Sequence, residues 1–213
     1  MPGLQNPTPS PAAARPYRMR RRLEAVEQTR QRIVAATFEL HATIGPSRTT
    51  IRAIADRAGV QRHTVYAHFP DLASLYEACT THGIKATSMP HPDDWLAIAD
   101  PAARLRHGLA AMVDWYRTNA TMLANVLLDV DPTAPPPTAP DPFEVRFDAL
   151  VAALRGDRDG HTDRADHDDR ADRRRIVDAV LAHALAYTTW RSLADGGLDD
   201  ATIVSLLVGF VEA

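Results

Sequence analysis

The sequence predicts an all-α protein, with a small N-terminal helix-turn-helix domain followed by a larger helical body. Three observations carry this. Apolar residues recur at i, i+3, i+4 and i+7 in segment after segment, and no stretch has the alternation of a strand. Residues 49–69 divide at Gly59 into two short amphipathic segments. The last segment, residues 203–211, is apolar almost all round a helix and must be buried. With 213 residues, 45% of them apolar and 24% charged, the chain has material for one large domain, or for a small domain joined to a medium one.

Residues 1–16 are rich in Pro, Ala and Ser and have no apolar core segment, so they read as disordered and not as a signal peptide. Tyr17-Arg18-Met19-Arg20-Arg21-Arg22 follows, which makes residues 1–22 a disordered, basic arm. A first helix is expected over about 23–44, with Ile33, Thr37, Leu40 and Ile44 on one face, ended by Gly45-Pro46-Ser47. Ile51, Ile54, Ala55 and Ala58 form one face of a second helix, capped by Thr49 or Thr50. Gly59 can take positive φ and turn the chain sharply. Val60, Val65 and Phe69 then anchor a third helix, leaving Arg62, His63, Thr64, Tyr66 and His68 as its polar complement. Two helices joined by such a turn form a helix-turn-helix.

Pro70-Asp71 opens a fourth helix reaching about residue 86, and Met89-Pro90-His91-Pro92 breaks the chain before a short turn around Trp95. Pro101 begins a helix to about 118 bearing Leu105, Leu109, Met112, Val113 and Tyr116, and the next holds Met122, Leu123, Val126 and Leu127. The prolines of 131–142 require a loop. Phe147, Leu150, Val151 and Leu154 mark a helix over 143–154. Residues 156–172 are charged, aperiodic and bounded by glycine, a flexible loop. One helix is then expected over 173–193, stopped by Asp195-Gly196-Gly197, before the terminal apolar helix.

Charge separates the two parts. From Arg15 to Phe69 there are eleven arginines and four acidic residues, a net +7, whereas the whole chain is −3 and the remainder therefore −10. A basic helix-turn-helix on an acidic body points to double-stranded DNA as partner. The arginine cluster reads either as a solvated tail or as an arm reaching phosphates or an adjacent minor groove. Enzyme chemistry is not expected: no phosphate-binding glycine loop, zinc spacing or nucleophile elbow is present. His161, Asp163, Asp166, His167, Asp168 and Asp169 include metal-ligand types, but Arg158, Arg164 and Arg170 interleave them without ligand spacing, so neither metal nor cofactor is expected. The single cysteine, Cys79, excludes an intramolecular disulfide and fits a reducing, cytoplasmic setting, with a core role. No apolar run approaches the roughly 18 residues of a membrane span.

Several motifs resemble the TetR family of bacterial transcriptional regulators. They are Arg32-Ile33-Val34-Ala35-Ala36 with Leu40 and Gly45, then Thr49-Thr50-Ile51-Arg52 with Ile54-Ala55 and Ala58-Gly59-Val60, then Thr64-Val65-Tyr66 with His68-Phe69 and Leu75. The resemblance covers roughly residues 30–80. It implies a recognition helix over 61–68, with Arg62 and His63 near its start suited to base edges. Thr64, Tyr66 and His68 would contact phosphates, as would Thr49, Thr50 and Arg52 of the second helix. Gln61, Arg20, Arg21 and Arg22 complete the implied DNA-binding set. Three departures stand out: Gln61 replaces a small capping residue, Leu72 a phosphate-contacting lysine, and His41 an aromatic core residue, where it reads as a half-buried packing histidine.

The resemblance further implies a homodimer through the last two helices, including Leu207, acting on a pseudo-palindromic operator, usually as a repressor. It divides the chain into a DNA-binding domain over 23–69 and a ligand-binding and dimerisation domain over 70–213. Trp95, Met112, Tyr116, Met122 and Tyr187 would line a mostly apolar effector pocket, although the same residues equally fit a core. The acidic body would disfavour anionic effectors.

Overall fold

A computed structural model describes residues 11–127, 129, 140–156 and 167–213. The elements are α1 (Pro11–Ile44), a short 3-10 turn (Pro46–Arg48), α2 (Ile51–Ala58), α3 (Arg62–His68), α4 (Leu72–Ala86), α5 (Pro92–Leu96), α6 (Pro101–Thr118), α7 (Ala120–Leu127), α8 (Pro142–Arg155), α9 (His167–Leu185), α10 (Tyr187–Asp195) and α11 (Asp200–Glu212). No strand occurs among the described residues, so the fold is all-α as the periodicity predicts.

Local chemistry sets the helix starts. Asp100 and Asp141 each precede a proline at the first helical position, where its missing N–H costs nothing. Their carboxylates accept from the Ala103 and Phe143 amides, both at 2.7 Å. Asp71 and Asp199 cap α4 and α11 in the same way, through Ser74 at 2.7 Å and Thr202 at 2.8 Å.

Two apolar cores result. In the head, Ile33 and Leu40 of α1 bury against Ile54, Ala55 and Ala58 of α2, Val65 of α3, Phe69 and Leu75 of α4. In the body, α6 is central: Leu105, Leu109, Met112 and Tyr116 are buried and meet α8, α9, α10 and α11. Each large side chain so buried contributes about 1.5–3 kcal/mol. Gly108 lets α8 approach α6, since a Cβ there would lie 2.6 Å from Leu154 Cδ2.

Four expectations need correction. α1 begins at Pro11, not near residue 23, so residues 11–22 are helical; the run of alanines and arginines favours helix. α9 begins at His167, inside the expected loop. The single helix expected over 173–193 is two, because Ala186 has an extended ψ of 137°. No proline or glycine marks that break. The Tyr116 hydroxyl takes up Leu185 O, while His183 O accepts from both the Ala186 amide and the Thr189 hydroxyl. Finally, Leu207 packs into its own subunit's core, whereas Leu206 and Phe210 are about half exposed. The first ten residues, the expected loop over 131–139, and His161, Asp163 and Asp166 lie outside the described residues.

Candidate nucleic-acid interface

The helix-turn-helix is built from three local devices. Thr50 caps α2, its hydroxyl oxygen accepting from the Ala53 amide at 3.1 Å. Gly59 sits at φ 66°, ψ 40°, the left-handed region where a Cβ is costly, and its amide and that of Val60 close the end of α2. Gln61 begins α3 without a side-chain cap, so the turn relies on Gly59, on the Thr64 amide donating to Gln61 O at 2.9 Å, and on packing. Val65 and Phe69 are buried and hold one side of α3 against the head core. The opposite side is then compelled outward.

Gln61, Arg62, His63 and Tyr66 are exposed, and Thr64 and His68 half-buried, on this one short helix. Arg52 is exposed on α2 within 3.8 Å of Asp56, a pair weak enough to yield to a phosphate. Thr49 differs from Thr50. Its hydroxyl donates to Gly45 O at 2.8 Å and its amide to Pro46 O at 3.0 Å, so both its protons are spent within the chain. A phosphate only accepts, which leaves Thr50 and Arg52 as the donors of α2. Arg48, exposed two residues before the Thr50 cap, is a cation the sequence reading passed over; its only sequence signal was a charge in an inter-helix turn. Arg20, Arg21 and Arg22 are exposed on the helical extension of α1, not on a disordered arm, and the Arg20 and Arg21 guanidinium groups lie 6.0 and 5.7 Å from the Tyr17 ring. Leu72 is exposed at the start of α4, an apolar side chain where a phosphate contact was in question.

Head and body meet where α1 ends. Asn125 of α7 donates to Ala42 O at 2.8 Å, and Asp129 accepts from both the amide and the hydroxyl of Ser47, at 2.9 and 2.7 Å. Beside this junction His41 is buried more deeply than expected, edge-on to Tyr76 at 5.1 Å and 3.6 Å from Cys79. Burial lowers the His41 pKa from 6.5 to about 4, against a weaker opposing pull from Asp129. Burial also pushes the Cys79 thiol up to about 12, in keeping with a core role.

The five effector residues are not gathered in one place. Trp95 and Met112 are fully buried in the body core, and Met122 packs partly buried against it. Tyr116 and Tyr187 are edge-to-face at 5.5 Å and both line a groove of about 430 Å³ with Leu127, Phe143, Glu144, Phe147 and Asp148. Phe143 and Phe147, the second of which the sequence places on a packing face, supply half of its aromatic wall, with Tyr116 and Tyr187 the other half. Among the described residues, no group of three or more His, Cys, Asp or Glu is placed to hold a metal ion, and no helix is long and apolar enough to cross a membrane.

These features define a class: an all-α protein with a basic helix-turn-helix head on a helical body. Residues 33–79 match the bacterial regulatory proteins of the tetR family, and the match spans the helix-turn-helix head. Among solved structures, a tetR-family transcriptional regulator from Streptomyces coelicolor is 20% identical, with 87% of this chain and 78% of that one covered and a TM-score of 0.54. HlyIIR, a hemolysin II transcriptional regulator, is 20% identical over 86% of this chain and 98% of its own, with a TM-score of 0.53. At such identities these likenesses establish the fold, over head and body together. No curated protein matches the sequence.

Proposed function

We propose that the protein is a ligand-responsive repressor, acting in the cytoplasm as a homodimer on a pseudo-palindromic operator. The observation that carries this reading is the disposition of α3: Val65 and Phe69 are buried, and Arg62, His63 and Tyr66 are thereby presented from a segment, residues 15–69, of net charge +7. Arg62 and His63, in the first turn, are assigned to base edges; an arginine bonding O6 and N7 of one guanine contributes about 1–3 kcal/mol of discrimination. Thr64, Tyr66, His68, Thr50 and Arg52, together with Arg20, Arg21 and Arg22, are assigned to phosphates and set register. Gln61 opens the same helix beside them.

Dimerisation is supported by the outward faces of α9 and α11. Ile176, Leu206 and Phe210 are exposed large apolar residues there, and His183 of α9 sits edge-to-face with Phe210 at 5.7 Å, joining the two helices into one surface. A two-fold axis through this surface gives two heads and hence a palindromic site. Residues 23–69 then form the reading head and 70–213 the body that dimerises and binds effector. Binding in the body would act through the Ser47–Asp129 junction by altering the spacing of the heads, an effect of about 1–3 kcal/mol in such systems.

The test is selection of random duplex DNA on the purified protein at two salt concentrations. The expected result is a palindromic motif whose recovery falls steeply as salt rises. No enrichment at either concentration overturns the reading.

A further inference from the structure

The groove between α7, α8 and α10 has a definite chemical preference, provided that the body is the effector site proposed above. We infer that it takes an amphiphilic aromatic cation. Its walls are rings: Phe143 and Phe147 stack at 6.3 Å, and Tyr116 stands edge-to-face with Tyr187, with the buried Trp115 behind Phe143 at 6.4 Å. Ring faces attract cations and accommodate other rings. A volume of about 430 Å³ falls within the range of small-molecule sites.

The charged groups on the groove are of one sign. Glu144 and Asp148 lie one turn apart on α8, beside the Phe143–Phe147 pair, and neither belongs to an ion pair among the described residues. The neighbouring arginines are committed elsewhere. Arg146 donates to Pro90 O at 3.2 Å, Arg155 pairs with Asp178 at 2.6 Å, and Arg191 pairs with Asp195 at 2.7 Å. Two like charges at i and i+4 repel each other, a penalty that a cation between them removes.

The phenolic donors that would welcome an anion are also spent, which leaves the Thr188 hydroxyl as a neutral donor on the rim. The Tyr116 hydroxyl gives its proton to Leu185 O, and the Tyr187 hydroxyl lies 3.3 Å from Ala120 O and accepts from Arg191 at 3.4 Å. A ligand with rings against Phe143 and Tyr116 and a positive centre near Glu144 and Asp148 matches both the aromatic walls and the two carboxylates. An anion of the same shape meets two carboxylates and no free phenolic proton.

Tetraphenylphosphonium and tetraphenylborate share a shape and differ in sign, and calorimetry on the full-length protein compares them directly. The cation should bind about tenfold or more tightly than the anion. The exposed pair Glu144→Gln with Asp148→Asn, checked for native helicity, should bring the two affinities together. Equal binding in the native chain, or a preference for the anion, overturns the inference, as does a cation preference that survives the double variant. Anisotropy of a labelled operator separates this from the reading beneath it. Cation binding that leaves operator affinity unchanged upholds the ligand class and overturns the effector role.

Discussion

The Ser47 hydroxyl donates to Asp129 at 2.7 Å while the Ser47 amide donates to the other oxygen of the same carboxylate at 2.9 Å. This pair ties the turn that precedes α2 to the chain beyond α7, and so joins the reading head to the body. These hydrogen bonds hold the Asp129 carboxyl below its ordinary value of 3.8. Gly45 adjoins them: at φ 86°, with a would-be Cβ 2.2 Å from Asp129 Oδ2, it admits no side chain. Asp129→Ala is expected to speed amide exchange at Ser47 and to weaken the response of operator binding to effector, with the helicity of the chain unchanged. Unaltered exchange at Ser47 would remove the pair from the junction.

His41 makes stability pH-dependent. Unfolded, it takes up a proton near 6.5; folded, it stays neutral down to about 4 because it is buried. Unfolding therefore binds a proton in this window, and stability falls as pH drops from 6.5 toward 4, by up to about 1.4 kcal/mol per pH unit. Asp71, Asp129 and Asp199, whose hydrogen bonds lower their pKa from 3.8, lose their contributions only at lower pH. His41→Phe, which keeps a ring against Tyr76, should flatten the unfolding midpoint between pH 6.5 and 4.5. A slope as steep as the native one would show that another group is responsible.

Arg62 and Tyr66 test the proposed division of readout from positioning. Arg62→Ala should relax base preference in each half-site, at a loss of about 1–3 kcal/mol on the preferred operator. Tyr66→Phe should weaken binding to all sequences by a similar factor, since a phosphate carries no sequence information. Binding profiles on a panel of operator variants measure both. An unchanged preference in the first, or a sequence-dependent loss in the second, would reverse the assignments.

The faces of α11 separate association from folding. Leu206→Glu with Phe210→Glu, both on the exposed side, should give folded monomers with poor operator affinity in sedimentation and binding measurements. Leu207→Ala removes side-chain volume from the body core and should cost about 2–5 kcal/mol of stability in denaturant. A stable dimer of the first variant would place the interface elsewhere.

Much of this protein was determined by its sequence alone, where information is local. The Gly59 turn, the Asp-Pro starts at Asp100 and Asp141, and the faces of α2 and α3 follow from spacing and backbone preference within a few residues. The resemblance over roughly residues 30–80 lies in the same kind of short-range pattern. What only the tertiary structure decided depends on partners far away in the chain. The break at Ala186 exists without proline or glycine because the hydroxyl of Tyr116, from α6, takes up a freed carbonyl. In a helix apolar on every side, periodicity cannot say which face meets its own subunit, and so Leu207 and Leu206 were separable only by packing. The groove likewise arises where α8 lays Phe143 and Phe147 beside Tyr116 and Tyr187, a juxtaposition that spacing along the chain does not encode.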